Sequence, residues 1–393
     1  MVVTRRAVPF SDLIGHDAAV RQLKDALRHG TAHHAYLFTG PDGVGKEKCA
    51  RLFAQALNCE RGVSDARSEP GAGEVPHLIS DARSEPGGGS RTALLAGGGG
   101  EVPHLISDCC GACEACVATA RGAHPDVFVL MPEIEAIARK LVAKADLEAS
   151  PSRDLRIGQV RELQARVELK ASHGRRKVAL VLVADALNEQ AQNALLKTLE
   201  EPPPNTCIVL VTSAPDQLLP TVRSRCLRVN FGPLPLAEVA SRVAAARGLD
   251  ADTARLYAAL AAGSLGRALA IDPKDVERRR ASVLAEQAAD AAPDDRARLD
   301  LAEALAERDL AAAALNAWES FYRDAAVLAS GAPEPQLANP DFEAMARACA
   351  MRHGLSELLR RLAAFPAIRD ALVHNGNVKL QLEALLLGFG GIR

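Results

Sequence analysis

The stretch Ala35-Tyr-Leu-Phe-Thr-Gly-Pro-Asp-Gly-Val-Gly-Lys46 decides the fold of this chain. Its strand-like start, Ala35–Thr39, runs into a glycine loop that matches the pattern G-x4-G-K, and the helical stretch Glu47–Asn58 follows. Strand, loop and helix in this order are the context that a phosphate-binding P-loop requires, since glycines let backbone N–H groups approach a phosphate and the lysine adds charge. The candidate phosphate-binding residues are Gly40, Gly43, Gly45 and Lys46.

Two positions depart from what ATP hydrolysis needs. The residue after Lys46 should be Ser or Thr, whose hydroxyl holds Mg²⁺, but it is Glu47. A later apolar strand leads to Asp185-Ala186, where an active ATPase would carry Asp-Glu to hold Mg²⁺ and orient the attacking water. Asp185 can still complete a degenerate nucleotide site, whereas Ala186 has no polar group with which to orient or polarise the attacking water. The sequence leaves ATP/Mg²⁺ binding open and predicts that the chain has no ATPase activity of its own.

Strand-like and helical segments alternate from Phe10 to about residue 232, which predicts an α/β domain built on a parallel sheet. The strands expected in it are Ala35–Thr39, Asp126–Leu130, Val178–Ala184 and Cys207–Thr212. Beyond Pro235 only helical patterns remain, and they suggest a small helical unit over 233–273 and a longer all-α domain over 274–393. Residues 60–108 contain two imperfect repeats and glycine runs, which is typical of a disordered or loosely ordered insertion.

The cysteines next to this insertion predict a metal site. Cys110, Cys113 and Cys116 follow the spacing C-x2-C-x2-C, and Cys59 precedes them by about fifty residues. Four thiolates would complete a closed tetrahedral site for structural Zn²⁺. Cys109 competes with Cys59 for the fourth position, and spacing alone does not decide between them.

A single arginine suggests chemistry outside the chain's own loop. Arg225 lies in Ser224-Arg225-Cys226, a polar stretch after Pro220. An arginine at the edge of a loop can stabilise transition-state charge on a phosphate that an adjacent subunit holds. The simpler interpretation is a surface arginine in a local ion pair.

The order of these motifs resembles the bacterial clamp-loader family of AAA+ proteins. The matching stretches are FSDLIGHDAAVRQL (10–23), HAYLFTGPDGVGK (34–46), CGACEAC (110–116), HPD (124–126), NALLKTLEEPP (193–203), SRC (224–226) and GSLGRAL (263–269). The resemblance implies an AAA+ P-loop domain with an inserted zinc module, a helical lid domain and a C-terminal helical collar. It also implies that Arg225 is an arginine finger acting in trans, and it assigns the zinc ligands as Cys59, Cys110, Cys113 and Cys116.

Within that family, Glu47 and Ala186 depart from the ATP-hydrolysing gamma/tau members, which share the cysteines and the SRC motif. Gly266 departs too, because the hydrolysing members carry a sensor arginine there. The resemblance therefore implies a non-hydrolysing subunit of a DNA-directed DNA polymerase complex. Its implied partners are the gamma/tau and delta subunits, and through the complex the sliding clamp and the phosphates of primed DNA.

Bulk composition agrees with a soluble, cytoplasmic protein, and the resemblance implies that it is part of a hetero-oligomer. Among 393 residues 48% are hydrophobic and only 3% aromatic, which favours helical packing. A formal net charge of −2 argues against coating nucleic acid by bulk attraction, and it weakens the hypothesis of a zinc-bearing nucleic-acid-binding protein with a relic P-loop. Two further hypotheses are a gamma/tau-type subunit and a self-sufficient ATPase in which Glu47 supports Mg²⁺. No membrane segment is expected.

Overall fold

A computed structural model describes residues 10, 13–61, 108–142, 150–332, 337–374 and 376–389. Of the loosely ordered insertion predicted over 60–108, residues 62–107 lie outside the described residues. Within the described ranges, no helix combines the length and the apolar character needed to cross a membrane.

Five parallel strands form one sheet in the order β2-β3-β4-β1-β5. The strands are β1 (Ala35–Thr39), β2 (Val127–Leu130), β3 (Lys177–Leu182), β4 (Thr206–Thr212) and β5 (Leu227–Asn230). Every residue of β1, β3 and β4 is buried, as expected for central strands that helices cover on both faces. The α/β class with a parallel sheet that the sequence predicted is confirmed.

Fifteen α-helices accompany this sheet in the described part of the chain. They are α1 (Asp17–Arg28), α2 (Lys46–Asn58), α3 (Glu114–Arg121), α4 (Glu133–Ala138), α5 (Ile157–Glu168), α6 (Glu189–Glu200), α7 (Pro220–Arg223), α8 (Leu236–Arg247), α9 (Ala251–Leu260), α10 (Leu265–Ala270), α11 (Pro273–Ala291), α12 (Arg296–Ala304), α13 (Arg308–Ala329), α14 (Glu343–Val373) and α15 (Val378–Phe389). Gly354 has a positive φ of 69° and kinks α14.

The sequence located four of the five strands but was wrong about some details. The third strand ends at Leu182 instead of Ala184, because Val183 adopts a left-handed φ of 58° and the next three residues form a 3-10 turn. The edge strand β5 was missed, since only Val229 of its four residues is buried and no apolar run marks it.

Asp126 was predicted inside β2 but precedes it, because its side chain organises the turn before β3. The fully buried carboxylate accepts backbone N–H bonds from Ser172 (2.9 Å), His173 (2.8 Å) and Gly174 (2.6 Å), and Lys177 Nζ lies 3.0 Å away. Burial opposes ionisation, but these donors outweigh it and hold the pKa of Asp126 far below its ordinary value. The HPD motif therefore joins β2 to the start of β3.

Contacts divide the chain into two compact units. The first comprises Met1–Thr39 and Lys46–Phe231 and holds the sheet. The second comprises Gly40–Gly45 and Gly232–Arg393. Its largest core surrounds Trp318 and Phe321 on α13. A further division of its helices into lid (233–273) and collar (274–393) stays a prediction.

Candidate nucleotide site, cysteine cluster and arginine

The carboxylate of Glu47 is bound by two arginines. Glu47 opens α2 directly after Lys46, which is itself 5% exposed. Arg139 Nη1 lies 2.8 Å and 2.7 Å from the two carboxylate oxygens, and Arg51 Nε donates to Oε1 at 2.9 Å. Burial would raise the pKa of Glu47, but the two guanidinium groups outweigh it and lower the pKa below its ordinary value. Glu47 is thus committed to an internal ion-pair network and is poorly placed to serve as a Mg²⁺ ligand.

Arg139, at the end of α4, is a residue that the sequence did not single out. It also lies 3.5 Å from Glu135 Oε2, one helical turn earlier. A Glu–Arg pair 92 residues apart has no signal in a single sequence, because only the fold brings α2 and α4 together.

Asp185 lies at the edge of the sheet where β3 and β4 end. Its Oδ1 accepts a hydrogen bond from Thr212 Oγ1 at 2.6 Å and a longer one from the Ser213 N–H at 3.3 Å. The neighbouring Ala186 falls in the 3-10 turn and offers no polar side chain. The structure therefore keeps the residue that could hold Mg²⁺ through water and lacks the carboxylate that would orient a water for attack.

The glycine loop is held by the turn that opens α10, and both belong to the second compact unit. Ser264 Oγ donates to the Asp42 carbonyl at 2.6 Å, and the Gly266 N–H donates to the Gly43 carbonyl at 2.8 Å. Gly43 has a φ of +73°. A Cβ on Gly266 would meet the Gly43 Cα at 2.9 Å. Any side chain at position 266 would therefore collide with the loop as it stands here.

Four cysteines come together beside α2 and α3. The Sγ atoms of Cys59, Cys110, Cys113 and Cys116 all lie within 4.8 Å of one another. Four sulfurs bound at 2.3 Å to a tetrahedral Zn²⁺ would lie about 3.8 Å apart, so the cluster needs only a small contraction to hold the ion.

Local backbone geometry supports the same four thiols. The Cys110 N–H donates to Cys59 Sγ at 3.4 Å, and the Cys113 N–H donates to Cys110 Sγ at 3.3 Å. Such N–H bonds stabilise charge on a thiolate. Cys109 Sγ donates to Gln55 Oε1 at 3.4 Å and is also hydrogen-bonded to Cys116, but it is not among the four. The structure favours Cys59 over Cys109, a choice that spacing left open.

Arg225 lies two residues before β5, on the side of the sheet where the parallel strands begin. Leu227 pairs with Tyr36, and β1 ends three residues further on at Thr39. Because strands rise about 3.3 Å per residue, Thr39 lies roughly 10 Å along the sheet from the level of Leu227. Arg225 therefore lies near the amino-terminal ends of the strands, whereas β1 ends on the opposite, carboxyl-terminal side of the sheet.

The Arg225 side chain is partly exposed and locally paired. Nη2 lies 2.7 Å from Glu200 Oε1, and Nη1 donates to the Thr221 carbonyl at 2.9 Å. The Arg225 side chain is 36% exposed, so the ion pair with Glu200 contributes little to stability, and another anion can replace Glu200 at small cost. Its neighbour Arg223 pairs separately with Asp216 at 2.9 Å.

Fold and sites together define an α/β protein with a P-loop sequence motif, a five-stranded parallel sheet and a four-cysteine cluster. A family model described as DNA polymerase III, delta subunit, matches residues 15–73 and 103–235. The DNA polymerase III subunit delta′ of Pseudomonas aeruginosa is 34% identical over 254 residues, which cover 64% of this chain and 59% of that protein. The tau/gamma subunit of Haemophilus influenzae is 30% identical over 239 residues, or 61% of this chain and 26% of that one.

Among solved structures, a DNA polymerase III gamma subunit-related protein from Thermotoga maritima is 19% identical, with a TM-score of 0.30. That match covers 68% of this chain and 83% of the other. The chain is similar to DNA polymerase III subunits of the delta, delta′ and tau/gamma types. It spans 59% of the delta′ relative and 26% of the tau/gamma relative.

Proposed function

We propose that this chain is a delta-prime-type subunit of the bacterial clamp loader. In this role it hydrolyses no ATP itself and presents Arg225 to ATP bound by an adjacent gamma/tau subunit. With gamma/tau and delta subunits it would help to open the sliding clamp and load it on primed DNA, which it would contact only through phosphates. It would work in the bacterial cytoplasm.

The observation that carries this proposal is the distance between Arg225, near the start of the strands, and the end of β1 on the other side of the sheet. An arginine placed there is far from the end of its own β1, and its side chain is partly exposed, so a neighbouring subunit can reach it. The ion pairs of Glu47 and the lack of a carboxylate at Ala186 support the absence of hydrolysis. These same two features count against a gamma/tau-type subunit.

We further propose that the four-cysteine cluster binds a structural zinc ion. Cys59, Cys110, Cys113 and Cys116 supply four soft sulfur donors and leave no open position for a reacting water. When bound, the ion would tie the end of α2 to the start of α3. A zinc-bearing nucleic-acid binder is the competing hypothesis from another class, and co-assembly with gamma/tau separates the two.

The test uses a loader reconstituted from this chain with gamma/tau, delta and the sliding clamp. Arg225→Ala should leave assembly intact on gel filtration and lower ATP turnover with primed DNA, because an arginine finger is worth roughly 10³–10⁵ in rate at the site it serves. Arg223→Ala is the matched control, since that guanidinium pairs with Asp216 nearby.

Turnover by Arg225→Ala equal to that of the control would remove the arginine from the mechanism. ATP hydrolysis by the isolated chain that Lys46→Ala abolishes would instead reject the non-hydrolysing role. Failure to co-assemble would reject membership of the complex.

A further inference from the structure

One aspartate connects the cysteine cluster to the amino-terminal part of the chain. Asp108 lies directly before Cys109 and two residues before Cys110 of the cluster. Its Oδ1 accepts the Cys109 N–H at 2.8 Å and the Phe10 N–H, also at 2.8 Å. The second of these hydrogen bonds spans 98 positions of sequence. A single carboxylate oxygen therefore holds two distant backbone segments together.

The other oxygen of the same carboxylate binds α1. Asp108 Oδ2 lies 3.2 Å from Lys24 Nζ, and only 21% of the aspartate and 23% of the lysine side chain are exposed. Lys24 Nζ also lies over the ring of the buried Phe10, 5.8 Å from its centre, which is within the range of a cation–π contact. Phe10, Lys24 and Asp108 thus form one compact contact, which we call the Asp108 junction.

On its other side, the junction is fixed by the cysteine cluster. The Cys110 N–H donates to Cys59 Sγ at 3.4 Å, so the backbone that carries Asp108 is hydrogen-bonded to one of the four sulfurs. These sulfurs are spread over as much as 4.8 Å, whereas a tetrahedral Zn²⁺ would hold them about 3.8 Å apart. Binding of the ion would therefore restrict the backbone from which the Asp108 side chain extends.

The rest of α1 is held by apolar packing and does not need the junction. Ala19 and Leu23 of this helix are buried, at 4% and 0% exposed. The junction adds the polar contacts of Lys24 and of the Phe10 backbone to this packing. Its loss should therefore loosen the amino-terminal contact and leave the sheet folded.

We propose that Asp108 is a positioning residue that couples metal binding at the four-cysteine cluster to the docking of Phe10 and Lys24. An ion bound by the cysteines orders the backbone around Cys110 and with it the Asp108 carboxylate. By linkage, docking of Lys24 on that carboxylate strengthens metal binding by the same factor. This inference rests on the proposed zinc site and is independent of the role proposed for Arg225.

Zinc affinity of the full chain, measured by competition with a chromogenic chelator, tests the coupling from one direction. Lys24→Met should weaken zinc binding roughly two- to fivefold, the range expected for one partly exposed ion pair. Arg28→Met is the matched control on the same helix, because Arg28 pairs with Asp25 at 3.1 Å, and it should bind zinc as the unchanged protein does. Asp108→Ala should weaken zinc binding about tenfold, as substitutions next to metal ligands do.

Amide hydrogen exchange followed by mass spectrometry tests the coupling from the other direction. Removal of zinc with EDTA should speed exchange several-fold in the peptides that contain Phe10 and α1. Peptides from α5, which packs against α6, β2 and β3, should not change. In Asp108→Ala, the Phe10 peptide should exchange fast even with zinc bound.

The possible failures separate the two proposals. A purified chain that binds no zinc would reject the zinc site and, with it, the coupling. Bound zinc with equal affinities in Lys24→Met and Arg28→Met, or with exchange at Phe10 that EDTA leaves unchanged, would overturn the coupling alone. An equal rise of exchange in α5 would also overturn it, because the whole sheet domain would then be opening. If Asp108→Ala fails to fold, the comparison of the Lys24 and Arg28 variants still decides.

Discussion

Glu47 shows how a single residue changes what a P-loop can do. A hydroxyl at this position would coordinate Mg²⁺, but the carboxylate turns to Arg139 and Arg51 within its own unit. The side chain is 33% exposed, so the network is partly screened by solvent. Its contribution is structural.

Glu47→Gln should therefore lower the free energy of unfolding by about 1 kcal/mol at pH 7, because it leaves Arg139 without its carboxylate partner. Since the folded pKa of Glu47 is lowered, this stability is present above the ordinary pKa and is lost as the pH falls through the lowered value. Calorimetric unfolding at pH 7 measures the loss.

The matched control for this change is Glu162→Gln, which removes an exposed i,i+4 pair with Arg166. That variant should change stability by about 0.5 kcal/mol or less. Equal losses in the two variants would show that the Arg139 contact contributes nothing beyond a surface pair.

At the scale of elements, the contact between the glycine loop and the start of α10 depends on the absence of a side chain at 266. Gly266→Ala would place a Cβ 2.9 Å from Gly43 Cα and 3.0 Å from its carbonyl oxygen, both backbone atoms that cannot rotate away. We expect a loss of about 1–3 kcal/mol, measured by thermal unfolding.

Gly388→Ala is the control in the same unit, because a Cβ there meets nothing within 4 Å and the residue lies in α15. It should be neutral or stabilising by up to about 1 kcal/mol. If Gly266→Ala were as stable as Gly388→Ala, the glycine loop would have to move away from the new Cβ at no cost in stability.

The cysteine cluster gives a second prediction at this scale. Cys59→Ser should lose bound zinc on purification and unfold at a lower temperature, because structural zinc contributes roughly 10–16 kcal/mol to small zinc-finger folds. Cys109→Ser should keep zinc, since that thiol donates to Gln55 outside the group of four. Metal analysis of both proteins decides the matter, and full zinc in Cys59→Ser would contradict the assignment.

At the scale of the whole molecule, the second compact unit contains a buried charge network that the sequence did not indicate. Glu286 on α11 is 1% exposed and accepts from the Tyr322 hydroxyl at 2.5 Å and from Gln287 at 2.7 Å. Arg361 reaches the same tyrosine at 2.8 Å and pairs with Asp290 at 2.9 Å. Burial, helped by the charge of Asp290, raises the pKa of Glu286 to about 7 against the hydrogen bonds from Tyr322 and Gln287 and the charge of Arg361.

A raised carboxyl pKa means that the folded state binds this proton more tightly than the unfolded chain. The free energy of unfolding of the second compact unit should therefore fall by about 2–3 kcal/mol as the pH rises from about 4.5 to 7. Trp318, the only tryptophan of the chain, reports on this unit in urea titrations at pH 5 and pH 8. Glu286→Gln should flatten this dependence, and an unchanged slope in that variant would contradict the role of Glu286.

Local patterns were enough for the parts of this protein that depend on residues adjacent in the chain. The strand–loop–helix around Lys46, the apolar strands β1, β3 and β4, and the cysteine spacing at 110–116 all follow from short-range periodicity and spacing. The missing hydroxyl at Glu47 was equally visible. The sequence alone thus determined the class of fold and the absence of residues that hydrolysis needs.

What only the tertiary structure decided involves partners far apart in sequence. It brought Arg139 to Glu47, chose Cys59 over Cys109 for the cluster, and placed Arg225 at the edge opposite the end of β1. Such pairings depend on which segments the folded core brings side by side, and a single chain carries no periodic signal for them.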